Sequence, residues 1–155
     1  MLQHTDSKAQ QQRLLCLGEH AKDEAASTCQ QPFMMINDLG LTFGRANTFN
    51  RDVPGSVDLQ AWAHVPVWAS AKQCIGNLPK SWTGSLDYPL ISEAGRRFLG
   101  GLLAQLTDSQ IHDLFDAARF PLRIRANRPR STSVDDWVSA FKNKRDQILN
   151  RSCPS

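Results

Sequence analysis

The sequence predicts a mainly α-helical domain carrying one small β-hairpin, an α+β chain in which the hairpin comes first and the helices follow. Three observations carry this expectation. Two short apolar runs, LLCL at 14–17 and PFMMI at 32–36, flank the polar, small-residue stretch GEHAKDEAASTCQQ at 18–31, the pattern of two strands and their connection. Further on, Ser92, Thr107 and Ser133 each precede a segment whose apolar residues recur at three- and four-residue spacing. The chain has 155 residues, 41% of them apolar, which fits one domain with a core of useful size.

Taken in order, residues 1–13 are polar and rich in Gln. The hairpin follows, and 40–56 is turn-rich, with Gly40, Gly44, Asn47, Asn50, Pro54 and Gly55. Ser56 is the expected cap of a short helix, VDLQAWA, with Asp58 in its first turn. Residues 66–90 are broken by Pro and Gly and read as an ordered irregular segment, with Trp68 and Trp82 as core plugs. Ser92 caps EAGRRFLGGLLAQL, whose Phe98, Leu99, Leu102, Leu103 and Leu106 form one apolar stripe. Gly100 and Gly101 weaken that helix and suit close packing. Thr107 to Gln110 is a capping box that opens a helix with Ile111, Leu114, Phe115 and Ala118 on one face. Ser133 caps VDDWVSAFKNKRDQIL, which is expected to bury Val134, Trp137, Val138, Phe141 and Ile148. Its cations, Lys142 to Arg145, complement the helix dipole. The expected organisation is a single domain: 1–50 as the hairpin segment, 51–150 as a helical scaffold and 151–155 as a tail.

The formal net charge is +3 and the charges are dispersed. The densest basic run, RFPLRIRANRPR at 119–130, holds five arginines and no acid. It reads as a solvated loop with two prolines, because no aromatic ladder interleaves the arginines to stack nucleic-acid bases. No apolar run is long enough to span a membrane, and the N-terminal residues lack the apolar core of a signal peptide. Four cysteines, Cys16, Cys29, Cys74 and Cys153, contain no CxxC pair, which argues against a zinc site. An even count suggests two disulfides, most simply Cys16–Cys29 and Cys74–Cys153, although three pairings satisfy the sequence. Disulfides imply an oxidising, periplasmic or extracellular compartment, so a true start upstream of Met1 is expected to carry an export signal.

The residues that could carry chemistry lie around the hairpin. His4-Thr5-Asp6-Ser7-Lys8 leads to Gln11, and the second apolar run ends in Asn37-Asp38-Leu39-Gly40-Leu41-Thr42. Asp38 between an apolar run and glycines suits an ordinary turn, and it equally suits a metal or phosphate site. The two halves resemble, in order, the H-R-D-x-K-x-x-N catalytic loop and the D-F-G of protein kinases, on either side of a hairpin. NDLGLTFG, ISEAGRRFL and WVSAFKNKRDQI also resemble a group of uncharacterised bacterial proteins with a divergent kinase-like fold. Thr5 stands where kinases have Arg, Gln stands for Asn, the aspartates are 32 positions apart, and no A-P-E follows.

The resemblance implies the C-terminal lobe of a kinase-like fold, with the N-terminal lobe absent. It implies a fragment of an ATP-dependent phosphotransferase, inactive alone, with ATP and Mg²⁺ or Mn²⁺ as cofactors and an unidentified phosphate acceptor. Asp6 would be the catalytic base and Lys8 a catalytic phosphate contact. Gln11 (or Gln12) and Asp38 would be metal ligands, and Gly40 and Thr42 would approach the nucleotide. The other expectation is a non-enzymatic helical interaction module, which would use the aromatic 57–90 segment or the arginine run to hold a protein partner. No G-x-S-x-G, H-E-x-x-H or P-loop is present.

Overall fold

A computed structural model describes residue 10, the backbone of 12–16 and 32–36, residue 43, and residues 57–70, 72–80, 84–123 and 132–154. Within these the chain is mainly helical, with one two-stranded sheet. The strands are β1 (Gln12–Cys16) and β2 (Pro32–Ile36), and the helices are α1 (Leu59–His64), α2 (Glu93–Ala104), α3 (Asp108–Ala117) and α4 (Val134–Leu149). β1 and β2 pair antiparallel, with Gln12 opposite Ile36 and Cys16 opposite Pro32. The first strand therefore starts two residues earlier than its apolar run suggests. Among the described residues no helix is long and apolar enough to cross a membrane.

The helix starts follow local chemistry. The Ser92 side chain accepts from the Gly95 amide at 3.1 Å. Thr107 with Gln110, and Ser133 with Asp136, form reciprocal capping boxes. Each such cap satisfies donors that the helix itself leaves unmet, worth about 1 kcal/mol. α1 departs from expectation, because Asp58 rather than Ser56 is its cap and accepts from the Ala61 amide at 3.1 Å. Asp58 is therefore a capping residue, not a first-turn acid, and Ser56 lies outside the described residues.

The core gathers around Trp137 of α4. Trp62 of α1 and Phe115 of α3 stack on it, with ring centroids 5.8 and 5.9 Å away and planes tilted by 25° and 27°. Phe120 meets it edge-on at 4.7 Å from a short 3-10 turn, Phe120–Arg123. Val57, Leu59, Val67, Ile111, Phe141 and Ile148 join the buried set with Leu103 of α2. Val134 and Val138 are only partly buried and pack against its edge. The solvated loop expected at 119–130 thus begins differently: Phe120 is a core residue and Arg119 takes a positive φ of 53° to deliver it. Residues 124–130 lie outside the described set.

α2 reaches this body chiefly through α4. Gly100 is buried at the contact, and a Cβ there would lie 3.3 Å from Leu149 Cδ2. The five-residue apolar stripe read on α2 is not buried as a unit. Only Leu103 is buried and Leu106 half-buried, while Phe98 is 72% exposed and Leu99 and Leu102 are also exposed. One partner helix covers only a narrow arc of another, so the rest of the stripe faces outward. Leu114 of α3 is exposed for a similar reason.

The described residues of the 65–91 segment are irregular but ordered, as the sequence predicts for 66–90. Three passes of chain lie together through isolated bridges, Trp68 to Gly76 and Ile75 to Leu90. Backbone bonds of 2.8 Å join them, among them Asn77 N–H to Val67 O and Ile91 N–H to Cys74 O. Gln147 of α4 holds the segment from below: its Oε1 accepts from the Val67 amide at 2.8 Å and its carbonyl from Trp68 Nε1 at 2.9 Å. A Cys74–Cys153 disulfide, with Cα atoms 5.4 Å apart, ties the same segment to the residues after α4. This is one of the two expected pairings. Cys29 of the other, and Trp82, lie outside the described residues.

The two α2 glycines separate cleanly. A Cβ on Gly101 meets nothing within 4 Å, so Gly101→Ala should stabilise the protein by about 0.5–1 kcal/mol through helix propensity alone. Gly100→Ala should gain less, because Leu149 must give way. Thermal denaturation of both variants measures the difference, and equal gains would show that the α2–α4 approach is looser than described.

Candidate functional site

The sequence-predicted site residues, Asp6, Lys8, Gln11, Asp38, Gly40 and Thr42, lie outside the described residues, as does His4. Their chain neighbours are described. The hairpin register sets Gln12 across from Ile36, and Gln11 and Asn37 are bonded to those two residues. Asp38 follows at the next position. On the other side of the glycine-bearing stretch, Phe43 is fixed in the helical core. Its ring packs edge-on against Phe120 at 4.8 Å, Trp62 at 5.1 Å and Phe115 at 5.7 Å. Its carbonyl accepts from the Asp58 amide at 3.2 Å. The stretch 37–42 therefore runs between two defined points, the end of β2 and an aromatic anchor.

A second feature of chemical interest is a cleft of about 170 Å³ between α2, α4 and the 65–91 segment. Apolar groups dominate its walls, among them Pro66, Leu78, Pro89, Ile91, Leu99 and Ile148, and Lys144 and Arg96 also border it. Lys144 is 1% exposed. Its ammonium donates to the carbonyl of Val65, which also borders the cleft, and lies 5.1 Å from the centre of the Trp62 ring. Among the described residues no carboxylate pairs with it. Burial accordingly pushes its pKa down to about 8, since a low-dielectric site disfavours the charged form. The sequence places Lys142 to Arg145 together as dipole-complementing cations, and for Lys144 that reading is corrected: it is an interior residue.

Arg96, by contrast, is paired with a carboxylate. Its guanidinium donates twice to Glu93, at 2.7 and 2.8 Å, and once to the Ile148 carbonyl at 3.0 Å. Glu93 also accepts from Arg97 at 2.7 Å and from the Cys153 amide at 2.9 Å. The Arg96 hydrogen bonds, followed by those from Cys153 and Arg97, hold the Glu93 carboxyl well below the usual carboxylate range. A pair that reads in sequence as a routine helix contact is thus a clasp joining the start of α2, the end of α4 and the tail.

Other polar side chains form surface pairs. Lys142 donates to Asp108 at 2.6 Å and lowers its pKa, and exposed His112 lies 3.8 and 4.0 Å from Asp113 and Asp135. His64 bonds Gln60 within its own helix. Among the described residues no group of three His, Cys, Asp or Glu side chains is arranged to hold a metal ion. Comparison with protein-family models, curated proteins and solved structures finds no match for this chain.

Lys144 gives a pH dependence whose sign is fixed. Its folded pKa, about 8, is below the unfolded value of about 10.4, so the unfolded chain binds more protons between those limits. Stability contributed by this site should therefore rise as pH increases from about 8 to about 10. Urea denaturation of the wild type and Lys144→Met across that range measures it. A stability difference that stays flat with pH would show that the ammonium is not desolvated.

Proposed function

We propose that this chain carries the metal- and phosphate-binding half of an ATP-dependent, kinase-like phosphotransferase. The observation that carries the reading is the β1–β2 register, which joins Gln11 to one strand and Asn37-Asp38 to the other at the same end of the ladder. An amide and a carboxylate supplied from neighbouring strands give hard oxygen ligands of the kind Mg²⁺ or Mn²⁺ prefers. Phe43, the residue directly after Thr42, is itself anchored in the aromatic core.

In this reading Gln11 and Asp38 hold the metal ion that bridges the ATP phosphates. Asp6 orients the acceptor hydroxyl, Lys8 steadies the charge on the transferring phosphoryl group, and Gly40 and Thr42 approach the phosphates. A complete site of this type also needs a strand-rich lobe with a glycine-rich loop and a lysine, so the chain by itself binds metal without turning over ATP. The Cys74–Cys153 bond supports an exported location, since disulfides persist in oxidising compartments.

Manganese binding tests the reading. Free Mn²⁺, followed by electron paramagnetic resonance, should fall on addition of the wild-type chain, and Asp38→Asn should weaken the binding at least tenfold with an unchanged far-ultraviolet circular dichroism spectrum. Equal binding by the two proteins would overturn the metal role of Asp38. ATP turnover by the chain alone, lost in Asp6→Ala, would overturn the need for a second lobe.

One observation favours a helical interaction module instead. Phe98 and Leu102 are 72% and 50% exposed and lie one turn apart on α2, an arrangement suited to a protein partner. That reading expects no Mn²⁺ effect tied to Asp38.

A further inference from the structure

The geometry points to a binding site for a small apolar carboxylate in the cleft between α2, α4 and the 65–91 segment, with the apolar body of the ligand between Leu99, Pro89 and Ile148 and its carboxylate on the ammonium of Lys144. The inference is independent of the phosphotransfer reading, which concerns residues of the hairpin.

Three features of the cleft select this ligand class. The first is size: about 170 Å³ holds a single ring or a short branched chain, since cavities of about 150 Å³ lined by aliphatic side chains take a benzene molecule. The second is the wall chemistry. Pro66, Pro89, Ile91, Leu99 and Ile148 reward an apolar body, while the half-buried and exposed residues among them leave a way in from solvent.

The third feature is charge. Among the described residues two cations border the cleft, and a carboxylate pairs with one of them: the Arg96 guanidinium donates to Glu93 and to the Ile148 carbonyl. Lys144 carries three N–H donors and gives one to the Val65 carbonyl. The Trp62 ring face attracts the ammonium without accepting its charge as an anion would. A buried ammonium that lacks a counter-ion is costly, and a charge-assisted bond to an incoming carboxylate is correspondingly strong. A neutral ligand of the same shape gains only the apolar contact. Binding here consequently discriminates by charge more than by shape.

The test uses phenylacetate and its neutral counterpart 2-phenylethanol, titrated into the intact, disulfide-bonded chain at pH 7 by isothermal calorimetry. Phenylacetate should bind saturably and at least tenfold more tightly than the alcohol. Lys144→Met should erase that preference. Leu99→Glu changes a rim residue that is 42% exposed, so it tests the site without depending on the core; it should weaken phenylacetate at least tenfold at an unchanged melting temperature. Equal affinity for acid and alcohol, absence of saturable phenylacetate binding, a preference that survives Lys144→Met, or full binding by Leu99→Glu would each overturn the proposal.

Discussion

The stacking of Trp62 and Phe115 on Trp137, three rings in mutual contact, is the interaction on which the helical body depends. Three helices meet there, and two of them, α1 with 6 residues and α3 with 10, are too short to be stable in isolation, while α4 has 16. Their order comes from burying a shared aromatic face. Phe120 and Phe43 close the cluster edge-on, so the 3-10 turn and Phe43 are held by the same rings. Truncating a buried Trp typically costs about 3–5 kcal/mol, against a total stability of about 5–15 kcal/mol for a domain. The margin is small enough that this one residue governs whether the helices assemble.

α2 and the irregular segment form a second layer attached by polar and covalent ties instead of a deep core. Glu93, Arg96, Gln147, Arg151 and the Cys74–Cys153 bond make these ties, and most of them converge on backbone carbonyls and amides. Directional bonds hold a segment in place without filling the space beneath it. The cleft beside Lys144 is the space they leave, and the outward arc of α2 is the apolar surface they do not cover.

Local chemistry was the legible part of the sequence. Ser92, Thr107 and Ser133 announce their helices because a cap acts within three residues, and the hairpin shows as two apolar runs around a polar loop. Asp58 was misplaced since Ser56, two positions earlier, satisfies the same rule. What sequence could not convey was which arc of a helix meets a partner. The stripe on α2 is periodic, yet only Leu103 is buried, and Lys144 looks like any helical cation until Val65 and Trp62, some 80 positions away, close over it. Phe43 was missed for a related reason: it sits among turn residues, and its anchoring role depends on rings from α1, α3, α4 and the 3-10 turn. The candidate site itself, Asp6, Lys8, Gln11 and Asp38, was read from motif order alone, and only the hairpin register and the Phe43 anchor bear on it structurally.

The span of the Cys74–Cys153 bond sets a schedule for maturation. The two cysteines are 79 residues apart, and α2, α3 and α4 all lie between them. At ribosomal speeds of about 5–20 residues per second, Cys74 waits roughly 4 to 16 seconds as a thiol before its partner exists. The wall of the cleft that carries Cys74 is therefore locked to the end of α4 only once Cys153 has been made and the two thiols have been oxidised.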